Sequence, residues 1–430
     1  MFRRIAKDLG ITGAQIAVAR GEEISEEAIG LANARLGTPM TADTLLQIGS
    51  TTKLHTAVMV MQLADEGLVD IDLPVAEYLP ELRLHDEEAA RTVTPRQLMA
   101  MTSGIDNGPY ADTGRGDDCV AAYVALLADV PMSFRPGTAY GYSNASTIVS
   151  GLLIERLTGL SWDDALRERL LKPARLSASV SLPEELPFHR VAVGHQPDTG
   201  EPVPRWTFSR GMGPSGSTLA ATAGDLVRFG RIFLRGGAGI LSAAGVAEMH
   251  TPQVDVPSRW FADSWCVGPY RKHWDGVDVF GHSGSNLGGS STLLWVPERD
   301  VAVAVIVNTP ARGYAFADAV FDVLFPSFGI AKPRRPEPDP SVEIDPRRYT
   351  GRYEAHGFGY VVTAGASGLT LGVSAGGAET ITTPLRPLGG DRFFPLDDAV
   401  TGHHTWDIAF TCPDGRAELL HNGAFTARRA

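Results

Sequence analysis

Gly49-Ser50-Thr51-Thr52-Lys53 places a lysine three residues after a serine, the spacing of a nucleophile and its base on one helix. Residues i and i+3 of a helix share a face, with Cβ atoms about 5–6 Å apart. A serine hydroxyl becomes a good nucleophile when a neighbouring base takes its proton. Burial and the positive end of a helix dipole lower the pKa of a lysine, so Lys53 could be that base. A capping serine with a solvated lysine one turn later is the structural alternative.

Two later segments could complete such a site. In Tyr142-Ser143-Asn144, a tyrosine near a cationic lysine can become a phenolate and shuttle protons, while the asparagine amide can position a substrate carbonyl. In Gly281-His282-Ser283-Gly284-Ser285, a strand beside the nucleophile can offer a backbone N–H to a developing oxyanion. Tyr140 is expected to be a packing residue. Each motif alone also fits a purely structural role.

The elements that must position these residues are helices and strands in one α+β arrangement. Apolar residues at helical spacing predict a helix over 50–66, and similar patterns predict helices over 145–158 and 221–235. Strand-like runs occur near the start, in GAQIAVAR and EEAIGLAN, and again late, in STLLWVPERDVAVAVIVNT. Strands at both ends with helices between them predict one antiparallel sheet built from the two ends of the segment.

A proline-rich segment divides the chain. Residues 332–346 contain five prolines, which fix φ and remove donors, so we expect a stiff linker there. Residues 1–331 before it form the predicted catalytic domain. Residues 347–430 after it alternate short strand patterns with Gly, Asp and Asn turns, which predicts a small antiparallel β domain.

Composition excludes several classes of function. The 430 residues carry 50 acidic against 38 basic side chains, a net charge of −12 that disfavours binding of nucleic acid. No apolar run reaches the roughly 20 residues of a membrane helix, so no membrane partner is expected. The start of the chain lacks the apolar region and cleavage site of a signal peptide, which favours a cytoplasmic protein.

No cofactor or metal is expected either. Residues 211–216 match the GxGxxG spacing, but a proline interrupts the loop and no βαβ unit surrounds it, which argues against a dinucleotide site. The three cysteines are far apart and form no ligand motif. His403 and His404 are expected at the surface, and Trp260, Trp265 and Tyr270 could either line a pocket or pack in the core.

The three motifs, in this order, resemble those of the class C β-lactamase-like serine hydrolases, which include penicillin-binding proteins, D-aminopeptidases and esterases. The flanking stretches TPRQLMAMTSGI, FRPGTAYGYSN and GPSGSTLAATAGDLVRFG also resemble this family, and the resemblance covers roughly residues 10–330. It implies a β-lactamase/transpeptidase-like antiparallel sheet flanked by helices, with a helical subdomain. The tail resembles the small lipocalin-like domains of some D-aminopeptidases and of penicillin-binding-protein-type thioesterases that cyclise nonribosomal peptides.

The resemblance implies roles for the motif residues. Ser50 would be the acylating nucleophile, Lys53 its base, and Tyr142 the group that carries protons to the leaving group. Asn144 would bind the substrate. The backbone N–H groups of Ser50 and Ser285 would form the oxyanion hole.

The third motif departs from the β-lactamases within this family. His282, which precedes Gly284 in the motif, stands where those enzymes usually carry a lysine that meets the substrate carboxylate. Histidine there is frequent among the esterases and D-amino-acid-specific peptidases. This difference and the absence of a leader disfavour a β-lactamase.

We therefore expect a serine hydrolase that acts on a small ester, amide or peptide through a covalent ester at Ser50. A transacylase or peptide macrocyclase, in which an amine replaces water, is the main alternative, and a water-poor pocket would favour it. A non-catalytic binder of the same fold is a third possibility, which the intact set of Ser50, Lys53 and Tyr142 disfavours.

Overall fold

The computed structural model describes residues 1–205, 207–365, 368–375, 381–396 and 406–430, and their secondary structure falls into a large N-terminal region and a C-terminal barrel. His403 and His404 lie outside the described residues. No helix of the described ranges is long and apolar enough to cross a membrane.

The helices and strands of the described residues are as follows. The helices are α1 (Phe2–Asp8), α2 (Thr52–Asp65), α3 (Glu87–Thr92), α4 (Pro95–Met99), α5 (Cys119–Ala125), α6 (Asn144–Thr158), α7 (Trp162–Ala165), α8 (Ala223–Leu234), α9 (Ala243–His250) and α10 (Gly313–Leu324). The strands of the large region are β1 (Gly13–Arg20), β2 (Glu23–Asn33), β3 (Thr38–Pro39), β4 (Leu46–Gln47), β5 (Ser179–Val180), β6 (Ala220–Ala221), β7 (Val254–Asp255), β8 (Ser264–Trp265), β9 (Tyr270–Trp274), β10 (Val277–Ser285), β11 (Ser290–Val296) and β12 (Val301–Val307). The strands of the barrel are β13 (Gly351–Ala355), β14 (Phe358–Gly365), β15 (Gly368–Ala375), β16 (Ile381–Gly389), β17 (Arg392–Pro395), β18 (Ile408–Thr411), β19 (Leu419–Asn422) and β20 (Phe425–Arg429).

One antiparallel sheet joins both ends of the large region. Within the described residues its order is β3-β2-β1-β12-β11-β10-β9-β8-β7, so the early strand β1 pairs with the late strand β12, with Ile16 opposite Val305. Every residue of β12 is buried: Ala302 and Ala304 face the helical region, while Val303 and Val305 face the side covered by α10. An apolar run of this kind fits a strand that is covered on both faces. The predicted α+β fold with a sheet built from the two chain ends is confirmed.

Helix α2 lies in the middle of the helical region. A short 3₁₀ turn at Gly49–Thr51 leads into it, and its residues are buried from Thr52 to Leu63. The sequence pattern predicted one apolar face, but the helix is enclosed by α6, α9, the helical segment Leu166–Leu171 and the turn at Arg210–Ser215. A polar side chain on this helix therefore has to find its partners inside the protein.

The C-terminal strands form a closed antiparallel barrel, eight strands among the described residues. Each strand pairs with the next, and β20 returns to β13, with Arg429 opposite Tyr353. Its interior is aromatic, since Tyr349, Phe393 and Phe410 pack with ring centroids 5.0–5.7 Å apart. The predicted separate C-terminal β domain is confirmed. Residues 332–345 contain no helix or strand, and the exact domain limits at 331 and 347 stay a prediction.

Asp407 joins the barrel to the large region. Its carboxylate accepts hydrogen bonds from Ser258 Oγ at 2.7 Å, from Arg259 N at 3.1 Å and from Trp260 N at 3.0 Å, and it lies 3.5 Å from Arg392. The side chain is fully buried. A second link runs from the His356 backbone N–H to the buried carboxylate of Asp106.

We predict that Asp407→Ala lowers the free energy of unfolding by about 2–4 kcal/mol, because it leaves buried donors without an acceptor. Denaturant unfolding followed by circular dichroism measures the change. The exposed Asp414→Ala in the same barrel is the control, with an expected effect within about 0.5 kcal/mol. Equal unfolding curves for the two variants would contradict the role of Asp407 in docking the barrel.

Candidate active site

Ser50 and Lys53 meet at the start of α2. The Lys53 side chain is 2% exposed, and its Nζ lies 3.0 Å from Ser50 Oγ, 2.6 Å from Asn144 Oδ1 and 2.7 Å from Ser215 O. The helical i, i+3 spacing supplies the first contact, and α6 and the Arg210–Ser215 turn supply the other two. The lysine is thus held by three elements that are far apart in the sequence.

The environment of Lys53 favours a neutral amine. Burial lowers the pKa of Lys53 well below its ordinary value, and no carboxylate pairs with it among the described residues. A neutral amine has two N–H donors and one lone pair. Asn144 Oδ1 and Ser215 O can only accept, so they use the two donors, and the lone pair is left for the hydroxyl proton of Ser50. This arrangement can activate Ser50.

Tyr142 and Asn144 are held in place by the serine between them. Ser143 is the N-cap of α6: its Oγ accepts from Ser146 N at 3.0 Å and donates to Asp106 O at 2.9 Å. Because Ser143 is fixed on both sides, Asn144 enters the first turn of the helix facing Lys53, and Tyr142 precedes the cap.

Tyr142 lies over the lysine. The Lys53 Nζ is 4.8 Å from the centroid of the Tyr142 ring. Burial raises the pKa of the Tyr142 phenol well above its ordinary value, and a hydrogen bond with Ser50 acts in the opposite direction. The sequence suggested that a cationic lysine could turn this tyrosine into a phenolate. A neutral Lys53 does not stabilise a phenolate, so Tyr142 rests as a protonated phenol that can donate its proton.

Close backbone approach brings the Ser50 and Ser285 amides together. A Cβ on Gly284 would lie 2.0 Å from Ile48 O and 2.6 Å from Ser50 N, so glycine is required there. Gly49 has a φ of +55°, and a Cβ on it would lie 2.5 Å from Ser285 N. Two N–H groups next to the Ser50 hydroxyl can stabilise an oxyanion.

His282 is a neutral member of the site. Burial lowers its pKa to about 3, and the charge that Lys53 can carry acts in the same direction. Its Nδ1 lies 2.7 Å from Ser283 O, so Nδ1 carries the proton and Nε2 is an acceptor. Nε2 is buried and has no hydrogen-bond partner among the described residues. His282 can therefore accept a hydrogen bond but supplies no positive charge.

These groups open into a cavity of about 250 Å³, which we call the acyl pocket. Most of its wall is aromatic or apolar, and its described lining residues include no lysine or arginine. The lining residues are Ser50, Tyr110, Tyr142, Asn144, Phe208, Met212, Ser215, Gly216, Ser217, Phe261, Tyr270, His282, Ser283, Ser285, Asn286, Tyr314, Trp406, Ala424 and Phe425.

The acyl pocket contains all the predicted site residues except Lys53 and Gly284, which lie behind its wall. Of the aromatic candidates left open by the sequence, Tyr270 lines the pocket, whereas Trp265 is fully buried and packs against Tyr140. The described residues contain no group of His, Cys, Asp and Glu that could hold a metal ion.

The sequence did not indicate that residues of the barrel line the acyl pocket. Trp406 packs 5.1 Å from Phe261, and Phe425 meets Tyr142 edge-on at 6.0 Å between centroids. Phe425 follows the tight β19–β20 turn, where Asn422 pairs with Phe425. The Asn-Gly dipeptide at this turn signals a hairpin, but it carries no information on where the hairpin docks.

Comparisons with known proteins agree with the fold described above. Residues 1–325 match the family described as Beta-lactamase. The chain is 38% identical to penicillin-binding protein 4 of Amycolatopsis lactamdurans over 83% of this chain and 96% of that protein, and 27% identical to esterase EstB of Burkholderia gladioli over 75% and 93%. The structure of SurE with D-Leu has a TM-score of 0.82 and 29% identity, and the match covers 100% of this chain and 97% of that one.

We predict that a fluorophosphonate probe labels the wild-type protein but not Ser50→Ala. Lys53→Met keeps the length of the side chain without its base, and should slow acylation by a p-nitrophenyl ester by at least about 100-fold. Probe labelling on gels and burst kinetics measure both effects.

Tyr140→Phe is the matched control, because it removes a buried hydroxyl near the site that has no partner among the described residues. It should label and acylate like wild type. Labelling of Ser50→Ala at the wild-type rate, or an unchanged burst in Lys53→Met, would refute these two assignments.

The pH dependence of acylation should follow Lys53. Protonated Lys53 cannot accept the proton of Ser50, so kcat/KM is lost as the pH falls through the lowered pKa of Lys53. His282 stays neutral above a pH of about 3 and does not contribute to this limb. The normalised pH–rate profile of His282→Asn should therefore keep the ascending limb at the wild-type position. Loss of the ascending limb in this variant would instead identify His282 as the titrating base.

Proposed function

The chain belongs to the β-lactamase family, which includes serine hydrolases and acyltransferases, and we propose that it is a serine hydrolase that forms a covalent ester at Ser50. The substrate is an ester or a small peptide or amide. The observation that carries this proposal is the buried Lys53 amine, which lies 3.0 Å from Ser50 Oγ while its other two partners can only accept hydrogen bonds.

The proposed acylation uses only groups already described. Ser50 Oγ attacks the substrate carbonyl as its proton passes to Lys53, and the Ser50 and Ser285 N–H groups stabilise the oxyanion. Collapse of this intermediate breaks the bond to the leaving group, which takes a proton from the Tyr142 phenol. The Lys53 ammonium returns a proton to Tyr142. In deacylation the same groups activate water, and the acid leaves from Ser50.

The acyl pocket favours an uncharged, apolar acyl group. Its apolar lining includes Tyr110, Phe208, Met212, Trp406 and Phe425. A neutral His282 offers no cation to a substrate carboxylate next to the scissile bond, which disfavours a β-lactamase. The similarity to SurE with D-Leu over the whole chain supports a D-configured residue such as D-Leu at this position.

Transfer to an amine is the second candidate. The barrel places Trp406, Ala424 and Phe425 over the acyl pocket, and an apolar cover lowers the local concentration of water around the acyl-enzyme. An amine that binds this surface could then resolve the ester at Ser50 in competition with water. A peptide whose own amine does so would be cyclised.

Hydrolysis and transfer to an amine can be compared with p-nitrophenyl esters of N-acyl D-Leu and N-acyl L-Leu as the acyl donors. We predict that the D ester is turned over at least about tenfold faster in kcat/KM, and that the free acid is the main product. Mass spectrometry at increasing concentrations of D-leucinamide measures the ratio of acid to amide.

Ser50→Ala should give neither product. An amide fraction that exceeds the acid at millimolar amine would replace the hydrolase assignment by the acyltransferase. Equal rates for both esters would refute the D preference, and turnover by Ser50→Ala would refute the acyl-enzyme itself.

A further inference from the structure

A second cavity of about 390 Å³ adjoins the acyl pocket, and we call it the outer cavity. The two share Phe261, Tyr270, Ser283, Tyr314 and Trp406. The two cavities therefore adjoin at these side chains, and a substrate held at Ser50 that is longer than the acyl pocket would pass them to reach the outer cavity.

Regular elements form the walls of the outer cavity. Tyr270, Lys272 and Trp274 alternate along β9 and face the same side of the sheet. Tyr314 and Phe321 lie on one face of α10, opposite them. The start of the proline-rich segment and the barrel close the remaining sides.

The charge of the outer cavity differs from that of the acyl pocket. Its described lining residues include five lysine and arginine side chains against two aspartates, Asp263 and Asp318. Arg259 pairs with Asp255 at 3.0 Å, and Lys332 pairs with Asp318 and with Asp322. Arg392 lies 3.5 Å from the Asp407 carboxylate, so protein carboxylates pair with three of the five cations. Arg334 has no ion pair among the described residues, and it is exposed at the rim rather than enclosed in the cavity.

Lys272 differs from these cations. No ion pair or hydrogen bond of its ammonium group is found among the described residues; its Nζ lies 5.7 Å from the Tyr270 ring centroid and 5.6 Å from that of Trp274. Burial lowers its pKa to about 8, so it is charged at pH 7. Contacts with ring faces at this range account for its position, but no acceptor among the described protein residues takes its three N–H donors.

We propose that the outer cavity is a subsite for an oxyanion carried by the substrate, a carboxylate or a phosphate, and that the Lys272 ammonium is the group that binds it. A charged acceptor would satisfy the donors that the rings leave unmet. The proposal rests on the proposed acyl transfer at Ser50. The oxyanion can belong to either of two parts of the substrate, the acyl chain or the leaving group.

Matched pairs of thioesters distinguish these sources. In one pair the N-acyl D-Leu group is constant, and the leaving thiol is 3-mercaptopropionate or its neutral amide. In the other the leaving thiol is neutral N-acetylcysteamine, and the acyl chain ends in a carboxylate or its amide. A third thioester, whose leaving thiol carries a phosphate group elsewhere in its structure, tests phosphate as the oxyanion. The measured quantity is the ratio of kcat/KM between the anionic and the neutral member.

We expect at least one anionic member to be preferred by wild type by about tenfold or more, with the difference mainly in KM. Lys272→Met should abolish this preference and leave the neutral members within twofold of wild type. Lys272→Arg should retain the preference, and the exposed Lys172→Met should behave as wild type. The preference should decrease with rising ionic strength.

The proposal is overturned if wild type prefers no anionic member, or if Lys272→Met keeps the preference. These results are distinct from failure of the acyl-enzyme, since turnover of the neutral thioesters and its loss in Ser50→Ala report on Ser50 alone.

Discussion

A lysine amine enclosed in protein is the constraint on which the site depends. The Lys53 amine remains neutral because water is excluded from it. A buried amine without hydrogen bonds would destabilise the fold, so its polar partners must come from inside the molecule. Ser50, Asn144 and Ser215 supply them from three separate elements. The buried helix α2 and the N-cap at Ser143 both serve this convergence, because a shift of either would leave the amine exposed or without a partner.

The barrel extends this enclosure to the substrate. The Asp407 carboxylate fixes the barrel against the large region, and Trp406 beside it reaches the wall of the acyl pocket. The pocket is thus an interdomain cavity, with its nucleophile on one domain and part of its apolar surface on the other. The two adjoining cavities differ in charge: the acyl pocket around Ser50 is uncharged, and the outer cavity around Lys272 is basic.

Local chemistry made much of the site predictable from sequence. The helical spacing of Ser50 and Lys53 gives their contact, a capping serine fixes Asn144, and the early and late apolar runs predict the pairing of β1 with β12. Long-range packing was beyond such reasoning. Nothing around Phe425 indicates a partner 283 residues earlier at Tyr142, and the state of Tyr142 depends on burial that no local pattern reports. Lys272 has an ordinary sequence context and becomes distinctive only through the rings and the cavity around it.

The hairpin that carries Phe425 can change the fit of the substrate without changing the residues of the reactive centre. Gly423 packs so closely on Trp406 that a Cβ would lie 2.0 Å from the indole, so the turn has one conformation and a fixed attachment. The residues next to it, Ala424 in the turn and Phe425 at the start of β20, line the acyl pocket, and neither is one of the groups assigned to the Ser50 chemistry. Selection can therefore alter which molecules fit by changing the two neighbouring codons of Ala424 and Phe425, while the reactive centre, encoded hundreds of residues upstream, remains under separate constraint.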